Sequence, residues 1–379
     1  MRILLVNKYY PPHIGGVEEH VRDVAEGLAA VPENEVRVIV SNNERRYREE
    51  QCNGVEIIRL PRLTERASTP IARHFGAVLA HEAKTADIVH FHFPYPWGEF
   101  EWCGQAASKT TPYVVTYHSD IVRQRIALAV YRPFLNLFLD RARLIMASSP
   151  QLIKYSPFLE ARTSKCRQID FGVPVSHIVD DPAARTRAAR IRADHNGRPL
   201  VLFVGRLVYY KGIPVLAEAL SRVDADFIVV GRGPDAQLLR DSAAQATAAG
   251  WPGRLDIIDY ATDEELAALY HAADVFTLPS TEPSEAFGLV QIEAQAAGTP
   301  VVSTRLRSGV PYANLDGVTG LTVPPNDANA LAGALNALLA DAALRERLGR
   351  QAQRRALSQF NVTRMVGQVT AVYQEALNL

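Results

Sequence analysis

The chain has 379 residues, 47% of them hydrophobic and 22% charged. A single core stops growing near ~250–300 residues, so the length predicts two domains, and the composition excludes a disordered chain or a coiled-coil rod. Forty-one Lys and Arg balance 41 Asp and Glu, so no global charge marks a nucleic-acid binder.

Short apolar strands alternate with amphipathic helices. Ile3–Val6 reads as a strand; it meets Asn7-Lys8 and is too short for a signal-peptide core. Val17–Ala30 reads as a helix with Val17, Val21, Val24, Ala25 and Leu28 on one stripe. Strands follow at Val36–Ser41, Val55–Leu60, Ile88–Phe93 and Tyr113–Tyr117. A second series starts with the strand Leu200–Val204 and the helix Ile213–Leu220. It continues through strands Phe227–Val230, Leu255–Ile258, Val275–Leu278 and Val301–Ser303. Thr262–Glu265 is a capping box opening a helix toward His271, and Val290–Ala297 is a further helix.

Such alternation predicts an α/β protein: two Rossmann-like domains with mainly parallel sheets facing a cleft. The expected division is 1–180, 181–361 and a terminal helix, 362–379, that could cross back to the N-terminal domain. Cys52, Cys103 and Cys166 are odd in number and widely spaced. They read as reduced cytosolic thiols, neither a disulfide framework nor a metal site. No run approaches ~18 consecutive apolar residues, so no membrane span is expected.

Ligands of doubly wound sheets bind beyond the carboxyl ends of the strands, so the informative residues should follow strands. Gly15-Gly16 lies between the first strand and helix, where a backbone can approach an anion. It is not GxGxxG, so NAD is not implied. A plain turn is the simpler reading of two glycines. In Gly205–Gly212, Arg206 and Lys211 stand between a strand and a helix and can neutralise a diphosphate. The loop is not a Walker motif.

Glu285 and Glu293 flank Phe287-Gly288-Leu289 after the strand Val275–Leu278. Their carboxylates can each accept from two hydroxyls of a ribose or sugar, or they can be a surface acid and a helix-terminal acid. His118 follows the strand Tyr113–Tyr117 and suits a substrate hydroxyl or a structural hydrogen bond. His90 and His92 share a strand face, but two histidines without acidic or Cys company do not make a metal site. Asp224-Ala225-Asp226 precedes its strand, at the wrong end for a ligand, and reads as a solvated turn.

In this order the motifs resemble the retaining family-4 glycosyltransferases of the GT-B fold. Glu285…Glu293 is similar to that family's E-x7-E motif, Gly205-Arg206-Leu207…Lys211-Gly212 to its diphosphate loop, and Gly15-Gly16 to its N-terminal loop. Ser308–Pro311 and Gly317–Leu321 also fit, so the resemblance covers nearly the whole chain. It implies that Arg206 and Lys211 hold the donor diphosphate, Glu285 and His118 the donor sugar, and Glu293 the ribose. Gly15-Gly16 would close over the phosphates, and Phe287, Gly288 and Leu289 would line the donor. Asp259-Tyr260-Ala261 departs from the family, where a glycine is common, and leaves base recognition open.

No metal cofactor is implied; the resemblance points to same-face substitution with retention. Asp120, Arg123 and Gln124 would meet the acceptor. The runs Tyr117–Gln124 and Ser284–Gln291 resemble bacterial mannosyl- and rhamnosyltransferases of surface polysaccharide, including lipopolysaccharide, biosynthesis. A GDP-sugar, GDP-mannose first, is the favoured donor, with UDP-sugars next. The expected partners are the nucleotide sugar and a glycan or polyprenyl-diphosphate-linked acceptor, with no nucleic acid.

Residues 109–167 hold ten Lys or Arg against three acids, with Tyr131, Phe134 and Phe138 among aliphatics. Two readings stand: an anionic-membrane surface carrying a cytoplasmic, peripheral enzyme, or a core helix with solvated cations. A GT-B nucleotide-sugar 2-epimerase and a non-catalytic sugar-nucleotide-binding protein are the alternatives outside transferase chemistry.

Overall fold

A computed structural model describes the chain except Ile14, Ala67, Ser68, Val122, Arg123, Gln124 and Asp180; of residues 125–130 it describes the backbone alone. The chain forms two compact units, Met1–Gly172 with Val362–Leu379, and Val173–Asn361. The division falls at Gly172/Val173, ahead of the expected 180/181. The reason is hydrogen bonding. The Asp170 amide donates to Gln368 Oε1 at 3.1 Å and the Gly172 amide points at Met365 Sδ at 3.0 Å. The Val173 amide instead donates to Phe360 O, and the Ile178 carbonyl lies 2.7 Å from His271 Nε2, so 173–179 packs with the second unit.

The first unit holds strands β1 (Arg2–Val6), β2 (Glu35–Ser41), β3 (Arg48–Cys52), β4 (Val55–Leu60), β5 (Arg62–Arg66), β6 (Thr69–Ala72), β7 (Ile88–Phe93), β8 (Tyr113–Tyr117), β9 (Leu144–Ala147) and β10 (Cys166–Gln168). Eight form one sheet in the order β10-β9-β8-β7-β1-β2-β4-β3, parallel except for β3, while β5 and β6 form a separate antiparallel ribbon. Both sheet faces are covered. Leu4 and Val6 enter one apolar cluster and Ile3 and Leu5 the other, as alternation along a strand requires.

The terminal helix, Val362–Leu377, belongs to this unit. Met365, Val366, Val369, Val372, Tyr373 and Ala376 repeat at helical spacing and join Val21, Val24 and Leu28 of the helix Gly16–Ala29 in the second cluster.

The second unit holds β11 (Leu200–Val204), β12 (Asp226–Val230), β13 (Leu255–Ile258), β14 (Val275–Leu278), β15 (Val301–Thr304) and β16 (Gly320–Val323). They form an all-parallel sheet in the order β13-β12-β11-β14-β15-β16. Strand order reverses between β11 and β14 here, and between β1 and β7 in the first unit. These switch points open crevices at the strands' carboxyl ends.

Asp224-Ala225-Asp226 is not a solvated turn throughout. Asp226 is buried as the first residue of β12, 2.7 Å from His195 Nδ1 and 3.1 Å from Arg198 Nε. Asp224 stays exposed and pairs with Arg198.

Candidate active site

In the second unit the residues leaving β11 and β14 meet. After β11 the chain makes a short turn over Tyr209–Lys211 and enters the helix Ile213–Leu220. Gly212 makes that turn possible: its φ is 75°, and a Cβ there would lie 1.9 Å from Pro279 O. The turn is therefore seated directly on the exit of β14, and the Thr281 amide donates to Tyr210 O at 2.8 Å. Gly231 plays a matching part after β12, where a Cβ would fall 2.0 Å from Gly205 O.

This seating brings Lys211 Nζ to 2.6 Å from Glu285 Oε2, with the two side chains 12% and 9% exposed. The Ser280 hydroxyl donates to the same oxygen at 3.1 Å. Arg206 is exposed; its Nη2 donates to the Tyr210 hydroxyl at 2.6 Å, and its guanidinium lies 5.7 Å from that ring's centroid. Lys211 Nζ lies 6.0 Å from the same centroid. Two cations and a carboxylate thus stand where the strand order reverses, held by one tyrosine and one serine.

Phe287 is buried against Tyr312 and Phe360, with centroids 6.3 and 5.8 Å away. Gly288 and Leu289 lead into the helix Val290–Ala296. That helix starts at Val290, so Glu293 sits in its first turn. Glu293 Oε2 accepts from the Tyr270 hydroxyl at 2.5 Å. Burial, then the Glu293 charge, raises the Tyr270 phenol well above its ordinary value, so it stays a donor. Tyr270, Ser280 and Tyr210 are missing from the sequence reading. Only Ser280 carried a signal, as the residue leaving a strand.

In the first unit Gly15 precedes the helix Gly16–Ala29 with an extended φ of 175°. A Cβ there would lie 2.2 Å from Glu18 Oε2, the end of a flexible side chain, so a larger residue would require that carboxylate to move. Glu18 is buried in the helix's first turn, where a carboxylate complements the dipole.

His118, at the exit of β8, is 4% exposed. Its Nε2 lies 3.1 Å from Nδ1 of His92 on β7, and Phe171 stacks on its ring at 5.9 Å. His20 joins from the first helix, its ring 5.1 Å from His118 and 5.7 Å from His92. His90 is tied instead to the Tyr373 hydroxyl and Thr116 Oγ1, each at 2.7 Å. Asp120 Oδ1 accepts from the Tyr117 hydroxyl at 2.6 Å and the Ser156 hydroxyl at 2.7 Å. Arg123 and Gln124 lie outside the described residues.

Burial pushes His20 and His90 down to about 3 from an ordinary 6.5, and His92 and His118 well below it. The four rings are neutral at pH 7. On acidification the unfolded chain binds protons first, so stability present above about pH 6.5 should be lost as the pH falls toward 3. Urea unfolding of the first unit should show a lower midpoint at pH 5 than at pH 7; an unchanged midpoint contradicts four neutral buried rings.

Both units match family models. Residues 185–355 match "Glycosyl transferases group 1" and residues 14–157 "Glycosyltransferase Family 4". The D-rhamnosyltransferase WbpZ of Pseudomonas aeruginosa is 36% identical over 282 residues, 72% of this chain and 69% of that protein. The O-antigen chain mannosyltransferase C of Escherichia coli is 30% identical across 100% of this chain and 99% of its own. Among solved structures, the sucrose-phosphate synthase of Thermosynechococcus elongatus superimposes with a TM-score of 0.78 at 26% identity, covering 100% of this chain and 99% of that one. Anabaena HepE in complex with UDP gives 0.76 at 21%, over 99% and 100%.

Two Rossmann-like units with mostly parallel sheets, matched over both halves, define a GT-B glycosyltransferase. The chain belongs to glycosyltransferase family 4, and with it to a class that uses nucleotide-sugar donors. Among the described residues no helix is long and apolar enough to cross a membrane.

Proposed function

We propose that the enzyme transfers a hexose, with retention, from a GDP-sugar to a glycan or polyprenyl-diphosphate-linked acceptor during surface polysaccharide assembly. GDP-mannose is the preferred donor. The observation that carries the reading is the Lys211–Glu285 pair at the β11/β14 switch point, beside Arg206. Arg206 and Lys211 face the donor diphosphate and offset the charge that grows on the leaving group. Glu285 receives sugar hydroxyls, Glu293 the ribose hydroxyls, and Tyr270 keeps Glu293 oriented. His118 contacts the donor sugar, Gly15 and Gly16 approach the phosphates, and Asp120, Arg123 and Gln124 meet the acceptor. The relatives named for mannosyl and rhamnosyl transfer support a mannose- or rhamnose-type sugar on the donor.

A thermal-shift screen over GDP-, UDP- and ADP-sugars tests this, because a ligand that binds the folded state raises its apparent stability. GDP-mannose should give the largest shift; a larger shift with a UDP-sugar overturns the donor assignment. NMR of the donor incubated alone separates transfer from 2-epimerisation, since an epimerase would release a free epimer without acceptor.

A membrane-facing acceptor side fits one surface. The helix Arg125–Arg141 buries Leu135, Phe138 and Leu139 but exposes Phe134 (42%) and Leu137 (39%). The exposed Phe100 ring lies 5.4 Å from Phe134. Arg132, Arg141, Arg143 and Lys154 are exposed, whereas Arg162 and Arg167 pair with Asp140 and Glu375. Part of this helix is core, and part is a basic, apolar surface that supports the membrane reading. Binding to vesicles with anionic lipid should be salt-sensitive, and the double variant Phe134→Ser/Leu137→Ser should weaken it ~5-fold or more. Equal sedimentation with neutral vesicles, or none at all, removes the membrane from the proposal.

A further inference from the structure

Three histidines from three separate elements converge in the first unit. His20 comes from the helix after β1, His92 from β7 and His118 from the exit of β8. All three are buried, and one ring nitrogen from each lies within 4.8 Å of the other two. We propose that His20, His92 and His118 form a binding site for a transition-metal ion of the zinc class.

The distances suit such an ion. Nitrogens bound at ~2.0–2.1 Å around a tetrahedral zinc lie about 3.3 Å apart. His92 Nδ1 and His118 Nε2 are already 3.1 Å apart. Moving the His20 ring by about 1–2 Å completes the set.

The hydrogen bonding points the same way. Buried polar atoms are normally paired, yet among the described residues His20 Nδ1 has no partner, and an ion between His92 Nδ1 and His118 Nε2 would replace the one hydrogen bond those two nitrogens share. A neutral imidazole carries one acceptor nitrogen, and a cation satisfies an acceptor as well as a proton does. His90 lies on the same strand face, its ring centroid 4.3 Å from that of His92. Tyr373 and Thr116 already take both its nitrogens, so it forms a wall rather than a fourth ligand. Phe171 covers His118 and His20, with centroids 5.9 and 4.7 Å away.

The donor set selects the metal. Three imidazoles without a carboxylate suit Zn²⁺, Co²⁺, Ni²⁺ or Cu²⁺ and not Mg²⁺ or Ca²⁺. Three protein ligands leave a fourth position for water or a substrate oxygen. The diphosphate cations Arg206 and Lys211 belong to the other unit and are not among the ion's ligands. An occupied site would hold the His118 ring and so slow sugar transfer. That consequence, unlike the binding, rests on the reading of His118 as a donor contact.

The test is direct binding to the full chain, stripped with EDTA and titrated with Co²⁺ or Zn²⁺ alone. The wild type should hold about one equivalent after desalting, with the visible absorption of tetrahedral Co²⁺. His20→Ala and His92→Gln should each weaken binding at least ~10-fold, as loss of one ligand of three requires. His81→Ala, on an exposed ring, should bind as the wild type does. Circular dichroism checks that each variant is folded, and the two ligand variants in different elements guard against one misfolding. Failure of the wild type to bind, or binding retained in both folded ligand variants, overturns the site. The outcome is separable from the proposed function: an active enzyme that binds no Co²⁺ loses the site alone, and a protein inactive with every donor that binds one Co²⁺ keeps it.

Discussion

Lys211→Met should lower kcat by ~10²–10³-fold, or about 2.7–4 kcal/mol of transition-state stabilisation. Methionine keeps the length and apolar stem of the side chain and removes only its charge. The ammonium pairs with Glu285 at 2.6 Å. A bound donor offers it a second anion, whose charge grows as the sugar–phosphate bond breaks. An interaction that strengthens during bond breaking acts on kcat, whereas one that only anchors the donor acts on KM.

Arg206 is exposed and held by Tyr210, so Arg206→Ala should cost less, at least about tenfold. The lysine variant also strands a carboxylate, because Glu285 keeps only the Ser280 hydroxyl. Breaking a buried pair can cost ~3–5 kcal/mol of stability, so kinetics must be measured well below each variant's melting temperature. The double variant Lys211→Met/Glu285→Gln removes both charges and should recover stability without recovering kcat. Near-wild-type turnover in both Lys211→Met and Arg206→Ala would sink the assignment of the diphosphate cations.

The strands and the loops after them were legible because both depend on local pattern. Val55–Leu60, Ile88–Phe93, Tyr113–Tyr117 and Leu200–Val204 begin and end where the apolar runs do. Arg206, Lys211 and Glu285 could be singled out for the same reason, since each lies in the loop that follows a strand; Glu293 stood out by its spacing from Glu285. What holds them was not legible. Tyr270 reaches Glu293 across 23 residues of sequence, and Tyr373 reaches His90 across 283.

Such partners are chosen by how helices pack on the sheet, which leaves no spacing to read. The convergence of His20 with His92 and His118 is of this kind. Two histidines on a strand carry no metal signal; a third at a strand exit and a fourth on a helix become relevant only once β1, β7 and β8 lie side by side. Asp226 was misread for a related reason. A DxD string at a strand's start reads as solvated until His195 and Arg198 fold over it.

Tyr373→Ala should destabilise the first unit by ~3–5 kcal/mol, the cost of truncating a fully buried aromatic. The side chain is 0% exposed, and it belongs to a helix that the chain adds only after completing the whole second unit. Its ring fills the cluster shared with Val21, Val24 and Leu28, and its hydroxyl lies 2.7 Å from His90 Nδ1. The two contributions can be separated. Tyr373→Phe keeps the packing and leaves one buried imidazole nitrogen unpaired, which should cost ~1–3 kcal/mol. The remaining loss in Tyr373→Ala then measures the cavity.

Because the tyrosine holds His90, and His90 lies against His92, the Phe variant should also loosen the histidine cluster without touching the Lys211–Glu285 pair. Hydrogen exchange should therefore rise around β7 and β8 and stay unchanged around β11 and β14. Two unfolding transitions, only the first displaced, are expected in urea. Equal destabilisation of both units would mean that the last helix does not stabilise the first unit alone.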